Sequence, residues 1–169
     1  MDNQREQCLR QAIAMEEEGK AFYLNAASSS SNQFARNVFE ALANEEDYHI
    51  AKIGEVYRRV REGGSLSEWI TCIAAGGPHE IFEKTLLMNA TSSKGDIDAL
   101  RLGLEIEEKS IKYYQGLADE ATDRYEKRFY LALAQEERGH YLKIMDSIEY
   151  LSDPEGWHYV HQRSMVDGG

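Results

Sequence analysis

Two Glu-x-x-His motifs stand in this chain: Glu46 with His49 in NEEDYH, and Glu137 with His140 in QEERGH. On a helix, positions i and i+3 share a face, so each carboxylate and its imidazole can reach one ion together. One such motif in a charged protein carries little information. Two of them, 91 residues apart and each built on the second Glu of a pair, point to a common origin.

Sliding the chain against itself by 91 residues supplies that origin. Glu16 and Glu17 meet Glu107 and Glu108, and Tyr23 meets Tyr114. ALANEEDYH (41–49) meets ALAQEERGH (132–140), and Lys52-Ile53 meets Lys143-Ile144. No gap is needed from about residue 12 to about residue 56, and the period is too long for a solenoid repeat. Each half is one supersecondary unit.

That unit reads as a helical hairpin. On a helical wheel Glu16 is centred among Leu9, Ala12, Gly19, Tyr23 and Ala27. Glu46 is centred among Phe39, Leu42, Ile50 and Ile53, Glu107 among Leu100, Leu104, Ile111 and Tyr114, and Glu137 among Tyr130, Leu133, Tyr141 and Ile144. The pattern predicts helices at about 4–27, 33–61, 96–119 and 124–151, none of which contains proline. The polar breaks SSSSNQ and DEATDR are short, so each helix pair is antiparallel. The halves (about 5–61 and 96–151) are joined by a Gly- and Ser-rich crossover, 62–95, with a short helix expected near 79–88. Two hairpins joined by one long crossover is the topology of a ferritin-like four-helix bundle. An all-α fold is therefore expected over 1–151. The tail, 152–169, breaks at Pro154 and is expected to pack Trp157 onto the bundle.

Within this frame the position of the acids is unusual. Glu16, Glu46, Glu107 and Glu137 lie at the centres of apolar stripes, whereas Glu17, Glu18, Glu45 and Glu108 lie on faces open to water. A buried, unpaired carboxylate costs several kcal/mol, and divalent cations are the natural compensation. Four Glu and two His make six ligands, the set used by di-iron and di-manganese carboxylate bundles. The expected metal ligands are thus Glu16, Glu46, His49, Glu107, Glu137 and His140, with Glu46 and Glu137 bridging and Glu16 and Glu107 terminal. Hard oxygen donors with imidazole suit two Fe ions, with Mn or Zn as substitutes. Tyr23 and Tyr114 follow the first Glu of each half by two turns. They read either as core aromatics or as hydrogen-bond donors that orient a ligand. His79, His158 and His161 fall outside the helices and read as surface residues.

The bulk properties agree. A chain of 169 residues favours one domain with a sizeable core. The net charge of −11, spread along the chain, argues against nucleic acid or an anionic membrane as partner. The start is polar and no run approaches a membrane span, so a cytoplasmic protein is expected. The two cysteines, Cys8 and Cys72, form no Cys-x-x-Cys and read as small hydrophobes.

Glu16-x-x-Gly19-x-x-x-Tyr23, ALANEEDYH, Glu107-x-x-Ser110-x-x-x-Tyr114 and ALAQEERGH together resemble the rubrerythrin branch of the ferritin-like superfamily, over roughly residues 5–151. The resemblance implies a di-iron site, a homodimer or larger assembly, and reduction of a small oxidant such as hydrogen peroxide. The sequence lacks the paired Cys-x-x-Cys of the family's rubredoxin-like domain, so electrons are expected from an external donor protein. The family also carries an extra ligand Glu three residues after the third-helix Glu. Here Ser110 holds that place, and its duplicate is Gly19. The leading expectation is an oxidoreductase acting on hydrogen peroxide or dioxygen. The alternatives are a ferroxidase or iron-handling protein, and a metal-dependent binding or sensory bundle without turnover.

Overall fold

The computed structural model describes residues 2–62 and 94–159. It is all-α: helices α1 (Asp2–Ser29), α2 (Gln33–Arg61), α3 (Lys94–Glu120) and α4 (Arg124–Ser152) follow in chain order. Their 27 to 29 residues give rods about 40 Å long. The crossover, with its expected short helix at 79–88, and Cys72, His79 and His161 lie outside the described residues.

Each hairpin is closed by a polar turn whose side chains satisfy the first free N–H groups of the next helix. Asn32 caps α2, accepting from the backbone N–H of Ala35 at 3.1 Å, while Arg36 donates to the carbonyl of Ser30 at 2.7 Å. Asp123 caps α4, accepting from the N–H groups of Tyr125 and Glu126 at 2.9 Å each. The runs rich in Ser, Asn and Asp stop the helices because these side chains compete for the backbone.

α1 lies against α2 and α3, and α4 lies against α3 and α2. α1 and α3 run antiparallel: Tyr23 reaches Glu107 and Tyr114 reaches Glu16. The apolar stripes meet in two dry clusters. One holds Tyr23, Phe34, Phe39, Leu42, Leu100, Ile144 and Leu151. The other holds Leu9, Ala12, Ile53, Val56, Tyr114, Phe129 and Leu133. On every helix the stripe Glu or Glu-x-x-His stands between the stretches that feed the two clusters. The polar residues therefore form a middle layer with hydrocarbon above and below.

After α4 the chain is helical again over 154–159. Trp157 is buried there, edge-on to Tyr150 at 5.5 Å, and its indole N–H donates to Asp146 at 2.7 Å. His158 is exposed. Cys8 is half-buried, and burial raises its thiol pKa.

Asp123→Ala removes the acceptor for two N–H groups at the start of α4. It should cost about 1 kcal/mol and lower the melting temperature of the metal-free protein by about 2–4 °C, as followed by circular dichroism. An unchanged melt would mean that this helix start is held by packing alone.

Candidate metal centre

The middle layer is made by six side chains from four helices. Glu16 on α1, Glu46 and His49 on α2, Glu107 on α3, and Glu137 and His140 on α4 are all buried, Glu107 completely. Their donor atoms fall into two groups, each gathered within 4.8 Å: Glu16, Glu46, His49 and Glu137, and then Glu46, Glu107, Glu137 and His140. Glu46 and Glu137 belong to both groups. The two imidazoles face each other, with ring centroids 5.2 Å apart and planes 15° from parallel.

Both histidines turn Nδ1 toward the centre. Nδ1 of His49 lies 3.0 Å from Glu137 and 3.2 Å from Glu16. Nδ1 of His140 lies 3.5 to 3.6 Å from Glu46, Glu107 and Glu137. The outer nitrogens face a second pair of acids. Nε2 of His140 meets Glu45 at 2.8 Å, and Nε2 of His49 stands 3.9 Å from Glu136.

Glu45 corrects the wheel, which placed it on a wet face. It is largely buried and bonded to His140 and Lys143. Its stem is long enough to lean from the edge of α2 onto α4. A signal for this was present: Glu45 and Glu136 match in the repeat as closely as the histidines do. Glu17, Glu18, Glu105 and Glu108 are exposed, as helical spacing requires. The two latter therefore cannot replace the carboxylate missing at Ser110, which is buried.

Tyr23 and Tyr114 are fully buried, and their hydroxyls donate across the hairpins, Tyr23 to Glu107 and Tyr114 to Glu16. Burial and the adjacent carboxylates raise both phenol pKa values far above the usual range, so both remain donors. Gly103 lets α3 approach Tyr23 closely: an added Cβ would stand 3.2 Å from Ile144 and 3.4 Å from the Tyr23 ring.

The electrostatics divide the six into three kinds. Burial raises Glu16 to about 9 and Glu107 to about 8, so both carry a proton at neutral pH. Burial also acts to raise Glu46, but hydrogen bonds from Glu16, His140 and His49 outweigh it and lower the group to about 2. Glu137 is lowered in the same way, its burial outweighed by His140 and His49. Burial acts to lower both histidines, but the surrounding carboxylates outweigh it and raise them well above their usual value. With two carboxylates, two imidazoliums and two neutral acids, the layer is neutral.

Mutual pairing still leaves gaps. Glu46 Oε2, Glu107 Oε2, Glu137 Oε1 and His140 Nδ1 are buried without a hydrogen bond of good geometry. Buried polar atoms are normally satisfied. Four such atoms converging in one layer, all oxygen or imidazole nitrogen, fit divalent cations of the Fe or Mn kind.

The fold and the buried donors define a ferritin-like carboxylate bundle compatible with a di-iron site. Residues 7–89 match the family model described as Rubrerythrin, a stretch that includes Glu16, Glu46 and His49 of the layer. No curated protein matches the chain. A solved structure, a hypothetical protein from Pyrococcus furiosus, is similar with a TM-score of 0.65 at 24% identity, over 89% of this chain and 91% of its own. That likeness is one of fold.

Metal binding requires deprotonated ligands. Two divalent ions should therefore displace the protons of Glu16, Glu107, His49 and His140, about four in all at neutral pH, and leave the layer neutral again. Isothermal titration in buffers of different ionisation enthalpy measures this number. Release of one proton or none would contradict the assigned charges. The raised groups also set the stability of the metal-free protein. Their contribution is present at low pH and is lost as pH rises through 8 and 9. Glu46 acts oppositely, and its contribution is lost as pH falls toward 2. The metal-free melting temperature should fall between pH 7 and about 9.5, and loading with metal should remove the fall.

Proposed function

We propose that this protein is a non-haem di-iron oxidoreductase that reduces hydrogen peroxide or dioxygen, with electrons from a separate donor protein. The observation that carries the reading is the sharing of Glu46 and Glu137 between two buried ligand groups, within a chain whose residues 7–89 match the Rubrerythrin family model. Glu16 and His49 would complete one metal position and Glu107 and His140 the other, with the shared carboxylates between them. When bound, the iron pair supplies two electrons, one from each ferrous ion.

The chain's own residues prepare that chemistry. Tyr23 and Tyr114 hold Glu107 and Glu16 by hydrogen bonds that resist ionisation. The hydrocarbon clusters on either side keep bulk water from the layer. Gly19 faces Glu46 and leaves space beside a shared carboxylate: an added Cβ would stand 3.6 Å from its Oε1. Ser110, one turn beyond Glu107, is small and buried. In this reading the small size of these two residues leaves room for a small oxidant. A cytoplasmic location and assembly as a homodimer or larger oligomer belong to the same reading. Among the described residues, no helix is long and apolar enough to cross a membrane.

The test is anaerobic Fe(II) loading followed by one equivalent of hydrogen peroxide or dioxygen, watched in the near-ultraviolet. The expected result is two irons per chain and a ferric band that grows faster with peroxide. It should also form repeatedly when a reductant is supplied. Binding with no response to either oxidant would favour a structural or sensory metal. One oxidation per iron, followed by release of the product, would favour iron handling. Ser110→Glu restores a carboxylate one turn from Glu107 and should change the oxidation rate by roughly tenfold. Stopped-flow traces identical to the wild type would count against an open position there.

A further inference from the structure

His49 and His140 are equivalent in the repeat but are held differently. His140 is fixed from outside. Its Nε2 lies 2.8 Å from Glu45, whose side chain is only 13% exposed. Glu45 in turn accepts from Lys143 Nζ on both oxygens, at 2.5 and 2.6 Å. A carboxylate can only accept, so Nε2 carries the hydrogen and Nδ1 is the atom left for the centre. That Nδ1 is buried and stands 3.5 to 3.6 Å from Glu46, Glu107 and Glu137, with no hydrogen bond of good geometry to any of them.

His49 has the reverse arrangement. Its Nδ1 is engaged by Glu137 and Glu16. Behind it Glu136 stands at 3.9 Å, with a side chain 42% exposed. Lys52, the counterpart of Lys143, lies over the ring of Tyr48 at 5.1 Å. Tyr48 occurs where the second half has Gly139, so the first half offers its lysine an aromatic face that the second half lacks.

A carboxylate behind a ligating imidazole fixes the ring and makes the inner nitrogen a better donor. We propose that Glu45 and Lys143 are positioning residues that make the two metal positions unequal, so that the His140 position fills first and more tightly. This rests on the metal-centre reading above. The His49 position fills second, because its imidazole must leave Glu16 and Glu137 and, among the described residues, has behind it the more distant, half-exposed Glu136.

Anaerobic titration with Co(II), followed by its visible bands, tests the order of filling. The wild type should take up two ions in two resolved steps. Lys143→Met and Glu45→Ala should weaken the first step by roughly 10–100-fold, whereas Glu45→Gln, which keeps an acceptor, should weaken it less. Glu136→Ala should leave the first step unchanged. Proton NMR of the metal-free protein with nitrogen-15 histidine gives an independent readout. One slowly exchanging Nε2–H, from His140, should be present in the wild type and in Glu136→Ala but absent from Glu45→Ala. Two Co(II) bound with equal affinity, or equal effects of Glu45→Ala and Glu136→Ala, would overturn the proposal while leaving the metal centre intact. A wild type that binds no Co(II) would remove the metal-centre reading itself.

Discussion

The bundle has to keep four carboxyl groups and two imidazoles neutral as a set, away from water. A lone ionised carboxylate in such a place costs several kcal/mol, so no one of the six can be understood by itself. Glu46 and Glu137 stay ionised because two imidazoliums lie against them, and Glu16 and Glu107 stay protonated because burial disfavours their ionised form and the negative charge beside them adds to that. The rest of the architecture follows from this. The dry clusters raise the strength of every interaction in the layer. The helices must run past the layer on both sides, which sets their length. A divalent pair can replace the displaced protons without altering the total charge, so the same scaffold serves both forms.

The repeat gives the layer near two-fold symmetry, and the departures from that symmetry lie just outside it. Tyr48 against Gly139 and Asp47 against Arg138 change which partners the neighbouring lysines have. Lys20 pairs with Asp47 at 2.5 Å in the first half, and Lys143 closes on Glu45 across the bundle. Inside the layer the same residue types still face one another, although Nδ1 of His49 lies closer to its carboxylates than Nδ1 of His140 does to its own. Symmetry is kept where six groups share one charge balance and is relaxed where a side chain can exchange solvent for a protein partner.

The four helices were legible because hydrophobic spacing and the turn runs agreed at every boundary to within two residues. α1 and α3 begin slightly earlier than the spacing predicts, at Asp2 and Lys94, since polar residues can continue a helix without contributing to its apolar stripe. The meeting of Glu16, Glu46, Glu107 and Glu137 was legible from their place on those stripes. The tyrosine hydrogen bonds were half legible. The spacing put the rings on the right face, but the choice of the opposite hairpin's Glu depends on the antiparallel register of α1 and α3. Glu45 was not legible from the wheel, because angle alone cannot register how far a flexible stem reaches toward a neighbouring helix. The matched Glu-Glu pairs in the repeat were the available signal.

Neither group of gathered donor atoms is complete within one hairpin. The first takes Glu137 from the second half, the second takes Glu46 from the first half, and each tyrosine holds the other half's Glu. A solitary hairpin would therefore carry an unfinished, poorly neutralised polar face. Two identical hairpins meeting about a two-fold axis would have finished both positions at once. The duplication thus has the form of a symmetric dimer made permanent in one chain, and the differences around Lys52 and Lys143 became possible only when each half had its own stretch of coding sequence.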